Sequence, residues 1–138
     1  MSFEDERHAI EGRMEDNYSS TDVKFENVPF KQPSEDSWVA LTILSGNGEQ
    51  ISIGTGSASR LKRFAGIIQI DIYTKENVGT KTAKDLAVTI AAIFDSVQFS
   101  NGSSGTILTR VPFFQTLGVT DGWLHSVVSV AYHRSKFS

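Results

Sequence analysis

Several residue groups in this chain have types and spacing from which a reactive or binding site could be built. Gly54-Thr55-Gly56-Ser57 followed by Arg60 reads toward a loop that cradles phosphate with backbone N–H groups. The third glycine of the dinucleotide pattern is missing, and a strand follows, so no helix N-terminus would face the anion. A mobile loop is the better reading. Gly79-Thr80-Lys81-Thr82 echoes the end of a nucleotide-binding P-loop. Its lysine does not directly follow the glycine, and the upstream glycine is absent, which leaves a helix start as the simpler interpretation.

The remaining chemistry weakens in the same way. His125 and His133 are eight residues apart on one expected strand, about 27 Å at strand rise, so they cannot share an ion within one chain. His8 and Glu11 lie one helical turn apart, but two ligands on a solvated helix do not make a metal site. No Gly-x-Ser-x-Gly elbow is present for a serine nucleophile. Any two acids could meet in space, yet most crowd Glu4 to Asp16 and read as a solvated helix face. No catalytic, cofactor or metal residues are assigned. The sharpest polar feature is the cluster Arg60, Lys62 and Arg63. It reads either as a solvated loop or as a basic knuckle that docks on an acidic neighbour, for which the first helix of another copy is a candidate.

The elements that would position these groups are legible. Phe64, Gly66, Ile68, Ile70 and Ile72 alternate with Ile67, Gln69, Asp71 and Tyr73, the period of a strand with one side buried and the other partly covered. Turn-forming residues from Thr74 to Gly79 end it. A helix is predicted from about Thr80 to Val97, because Ala83, Leu86, Ala87, Ile90, Ile93, Phe94 and Val97 recur at three- and four-residue spacing. Thr80 is its expected N-cap, with the hydroxyl accepting from a first-turn N–H.

Upstream, Ser2 with Glu4, Asp5 and Glu6 caps and charges a first helix that runs to about Asn17. Its apolar seam of Phe3, Ile10, Met14 and Tyr18 is thin, which places it at the edge of the fold or in a subunit contact. Asp22 to Val28 reads as a short strand. Trp38 to Leu44 and Gln50 to Thr55 read as a hairpin around Ser45-Gly46-Asn47-Gly48. Downstream come strands at Thr106 to Val111, Phe113 to Val119 and Trp123 to Arg134, with a break at Pro112 and a turn at Thr120-Asp121-Gly122. In the last strand Val128, Val130 and Tyr132 share one face, and His125, Ser129 and His133 the other. The expected class is α+β: a single, mostly antiparallel or mixed sheet with two helices packed on one face.

Composition bounds the rest. At 138 residues and 39% hydrophobic, one domain spanning 1–138 with a single core is expected. The absence of cysteine excludes disulfides and thiolate chemistry. The N-terminus is acidic and helical, and no apolar run approaches the ~20 residues of a membrane span. Neither export by a signal peptide nor membrane insertion is expected, and cytoplasmic residence fits. A net charge of -3 argues against general affinity for nucleic acid.

The combination Gly54-x-Gly56 to Arg60, then Gly66-Ile67-Ile68-Gln69-Ile70-Asp71-Ile72-Tyr73, then Gly79-Thr80-x-x-Ala83 with a helix closing on Ile93-Phe94, resembles the tail terminator (tail completion) proteins of long-tailed bacteriophages. The order of elements is similar as well, so the resemblance covers most of the chain. It implies a small structural virion protein of a phage or prophage, with no enzymatic activity and no cofactor. Such a protein assembles as a hexameric ring on the finished tail tube, stops tube growth and presents a surface to the head connector. The implied partners are further copies of itself, the tail tube protein and the head-tail connector protein, with DNA only passing through the lumen and no membrane. The implied location is the tail-neck region of the virion, after assembly in the host cytoplasm.

A ring of one chain needs two complementary faces. The acidic first helix, with Glu4, Asp5 and Glu11, and the basic Arg60, Lys62 and Arg63 could supply them. Three alternatives stay open: another neck component such as a head-completion or connector protein, a small ligand-binding enzyme using the Gly54 to Arg60 loop, and a nucleic-acid module.

Overall fold

The computed structural model describes residues 2–34, 36–50, 61–100 and 105–137. The elements are α1 (Phe3–Asn17), β1 (Asp22–Lys24), β2 (Trp38–Gln50), β3 (Leu61–Lys75), α2 (Lys81–Phe94), β4 (Gln98–Phe99), β5 (Ile107–Thr109), β6 (Phe113–Thr120) and β7 (Trp123–Phe137). All seven strands form one sheet in the order β1-β2-β3-β7-β5-β4, and β6 also pairs with β7. β1 runs parallel to β2 while every other pairing is antiparallel. The fold is α+β with a mixed sheet.

The alternation in β3 does what its period requires. Ile68, Ile70 and Ile72 are fully buried. Ile68 lies between Ile43 and Val130, Ile70 between Leu41 and Val128, and Ile72 between Val39 and Ser126. Leu86, Ala87, Ile90, Ile93 and Phe94 of α2, and Ala9, Ile10 and Met14 of α1, join those strand residues in one buried cluster. Each fully buried Ile or Leu contributes about 1.5–3 kcal/mol from transfer out of water, so this cluster is the main driving force for the fold.

Three expectations need correction. β2 does not turn at Ser45 to Gly48; it continues to Gln50 through a register shift between Ser45 and Gly48. A Cβ at Gly46 would sit 2.5 Å from the Ala65 carbonyl oxygen, so the glycine that suggested a turn instead permits a bulge. Of the expected second arm, Gln50 closes β2 and residues 51–55 lie outside the described ones. Second, Thr80 stands at the N-cap position of α2 without a side-chain cap; only its carbonyl is used, accepting from Lys84 N–H at 3.0 Å. Third, α2 stops at Phe94, and Val97 instead gives its N–H to Thr109 Oγ1 at 2.9 Å.

The β6–β7 turn matches its residues. Asp121 and Gly122 both have positive φ, 52° and 84°, the left-handed pair that a two-residue hairpin turn requires and that an Asp-Gly sequence supplies at low cost. No helix among the described residues is long and apolar enough to cross a membrane.

Candidate functional site

The acidic and basic groups expected to form two faces are placed by α1 and by β3. Glu4 is exposed and pairs with Arg7. Asp5 closes a capping box: the Ser2 hydroxyl accepts the Asp5 N–H at 3.1 Å, and Asp5 Oδ2 accepts the Ser2 N–H at 3.0 Å. The Ser2 N–H, and after it the Ser2 hydroxyl, hold the Asp5 carboxyl below the usual carboxylate range. Glu11 faces inward, with a side chain only 11% accessible and Arg7 Nη1 at 2.9 Å. Burial pushes its carboxyl up despite that guanidinium.

The basic residues are not all in a loop. Lys62 and Arg63 belong to β3, in register with Lys136 and Ser135 of β7 respectively. Arg63 is exposed. Arg60 lies outside the described residues, as does the whole segment from Gly54 to Arg60. Arg63 bears on His133, which the sequence places on the outer face of the last strand, together with Arg110, which sequence reasoning passed over. Partial burial and the positive charges of Arg63 and Arg110 hold the His133 imidazole below its ordinary value.

Two polar constellations emerge only from tertiary register. The first is centred on Glu6, expected on a solvated face but buried here. Tyr132 donates its hydroxyl to Glu6 Oε1 at 2.6 Å, Arg134 Nε approaches the same oxygen at 3.2 Å, and the Ser45 hydroxyl donates to Oε2 at 3.1 Å. The Arg134 guanidinium lies 5.0 Å from the Phe3 ring centroid and 4.4 Å from that of Phe64. Burial, then the Glu6 contact, raises the Tyr132 pKa, so its hydroxyl stays a donor. This is a folding contact between α1 and β7.

The second constellation lies on the opposite face, where β3 brings Trp38 and His125 to either side of Tyr73. The Trp38 and Tyr73 rings stack at 4.2 Å and the Tyr73 and His125 rings at 4.6 Å. Asp71 Oδ1 is 2.8 Å from His125 Nε2. An Asp–His pair invites comparison with a general base, but the adjacent Ser126 is buried and projects to the other side of β7. The pair orients the aromatic row. Trp38 and Tyr73 are 35 positions apart, so no local pattern could have announced this contact; only the inter-strand register reveals it.

The remaining candidates resolve structurally. Lys81 Nζ pairs with Asp85 at 2.7 Å, as expected of a surface helix residue following a non-phosphate turn. Among the described residues no group of three His, Asp or Glu is placed to hold a metal ion. One cleft runs between α1 and β4, lined in part by His8, Arg13 and Asp16.

The family model described as phage tail terminator protein matches residues 7–132, and the chain belongs to that family, which is one of structural phage tail proteins. No curated protein matches the chain. A solved structure matches 100% of this chain and 98% of its own, with a TM-score of 0.71 at 19% identity, which establishes a shared fold.

Proposed function

We propose that this protein caps the phage tail tube as a homo-oligomeric, hexameric ring, ends tail polymerisation and forms the surface to which the head connector docks. The family match over residues 7–132 carries the reading. In it the chain is one non-enzymatic domain without a cofactor, both helices lie on one face of the sheet, and the ring sits at the tail neck of a virion assembled in the host cytoplasm. Its partners are further copies, the tube protein and the connector, with DNA passing through the lumen.

The asymmetry of charge supports a ring built from unlike surfaces. Glu4 and Asp5 mark one end of α1, while Lys62 and Arg63 mark the end of β3, with Arg60 preceding them in sequence. Glu11 contributes by fixing Arg7. Heterologous contacts of this kind close by rotation. The test is tail length: particles assembled without this protein should carry tubes that overrun the normal length, and complementation should restore it. Tubes ending at the normal length in its absence would overturn the proposal.

A further inference from the structure

The sheet face opposite the buried cluster can be followed by register. Leu44, Ile67 and Ala131 form one row across β2, β3 and β7. Leu108 lies opposite His133 in the next row, and Phe113 lies opposite Ser129 on the other side. Alternation puts all of these away from Ile68 and Ile70. They are exposed: 46% for Leu44, 42% for Ile67, 37% for Leu108 and 64% for Phe113. An antiparallel sheet with one wet face normally carries polar residues there, so four large exposed apolar side chains on neighbouring strands of it mark a surface that is covered in use.

Its rim is cationic. Arg63 and Arg110 are exposed, and both bear electrostatically on His133, which places the three groups together. A positive rim fits a negative counterpart. This chain carries one. The last turn of α1 holds the exposed acids Glu15 and Asp16 and no basic residue, where the helix dipole is already negative and carboxylates are unfavourable by themselves. The first turn adds the exposed Glu4.

We infer that the bare sheet face bounded by Arg63 and Arg110 receives the acidic outer side of α1 from a second copy of this chain. The inference rests on the ring reading above and names its subunit contact. Because helix and sheet face are different surfaces, each copy offers one and accepts the other, and the contact propagates around a closed circle.

The test uses the full chain in three forms, with folding checked by circular dichroism and melting temperature. Sedimentation of the wild type should rise with protein concentration and fall with added salt. Arg63→Glu with Arg110→Glu should remain monomeric, as should Glu15→Lys with Asp16→Lys. Mixing these two double variants should restore association, because every junction between unlike copies again joins opposite charges. Ile67→Asp should lose association without losing the fold. A wild type monomeric at every concentration, double variants that associate like wild type, or a mixture that stays monomeric would each overturn this contact. Tail length separates the two claims: double variants that still cap tails normally remove this interface and leave the ring reading standing, whereas normal tails without any protein remove the ring reading itself.

Discussion

α1 and α2 cover the same buried cluster but are held by different physics. α2 is attached through an apolar stripe of Ala83, Leu86, Ala87, Ile90, Ile93 and Phe94, with no side-chain cap at its start. α1 has a sparse stripe and is pinned by directional contacts: the Ser2–Asp5 capping box, the buried Glu6 and Arg13, whose Nε donates to the Ile93 carbonyl at 2.7 Å. Hydrophobic contact is non-directional, so a broad stripe holds a helix by area. A narrow stripe needs polar contacts of fixed geometry to set its register on the sheet. Substitutions should therefore act on α2 through volume and charge burial, and on α1 through individual hydrogen bonds.

The largest effect is expected at Ile90, which is fully buried. Ile90→Asp places a carboxylate without a partner in the core, and the domain should lose its folded state and become insoluble. Soluble expression with a cooperative melt would show that α2 is not held by its apolar side. Next is Glu6→Ala. It removes the carboxylate that the Tyr132 hydroxyl and Arg134 Nε share, and should cost about 3 kcal/mol in chemical denaturation, as for breaking a buried pair. Glu6→Ala combined with Arg134→Leu should cost less than the two single changes added together, because both act on the same contact. Strict additivity would break the claim that one coupled polar contact holds α1.

Gly66→Ala probes the same contact from the sheet side. A Cβ there would lie 2.5 Å from the Tyr132 hydroxyl and 2.8 Å from the Leu44 carbonyl oxygen. The phenol must move away from Glu6 or β3 must shift from β2, at an overpacking cost of about 1–3 kcal/mol. A crystal structure of the variant should show the Tyr132–Glu6 distance lengthened from 2.6 Å. An unchanged distance and stability would mean that the backbone absorbs the methyl group freely.

This contrast also explains which parts of the fold were legible in the sequence. The strand through Ile68, Ile70 and Ile72 and the helix through Leu86, Ile90 and Phe94 carry their periods locally, and the structure bears out both. Val128, Val130 and Tyr132 sharing the buried face of β7 follows from the same alternation. Glu6 reads as solvated because its type is usually exposed, and its partners Ser45, Tyr132 and Arg134 are distant in sequence. The cluster of acids in α1 hid a buried member. Ser45 to Gly48 has turn composition, but the pairing of β2 with β3 past that point turns it into a bulge. Among the charged residues, Arg63 stood out by neighbouring Lys62, whereas Arg110 joins it only because β5 lies beside β7.

The smallest expected effect compares the two helix starts. Ser2→Ala removes the hydroxyl that accepts the Asp5 N–H and should cost about 1 kcal/mol. Thr80→Ala removes a hydroxyl that caps nothing and should leave the melting temperature nearly unchanged. The pH dependence separates them further. The Asp5 carboxyl is depressed in the folded state by the Ser2 N–H and hydroxyl, so the folded chain binds this proton less readily than the unfolded chain. Its contribution is complete above the unfolded carboxylate range and is lost as pH falls through the lower folded value. α2 has no acid in its first turn. Asp5→Asn should therefore flatten the acid limb of the stability curve, and Thr80→Ala should leave that limb where it was. Equal acid limbs for wild type and Asp5→Asn would show that the Asp5 carboxylate contributes nothing beyond what water supplies, leaving the polar attachment of α1 to Glu6 and Arg13.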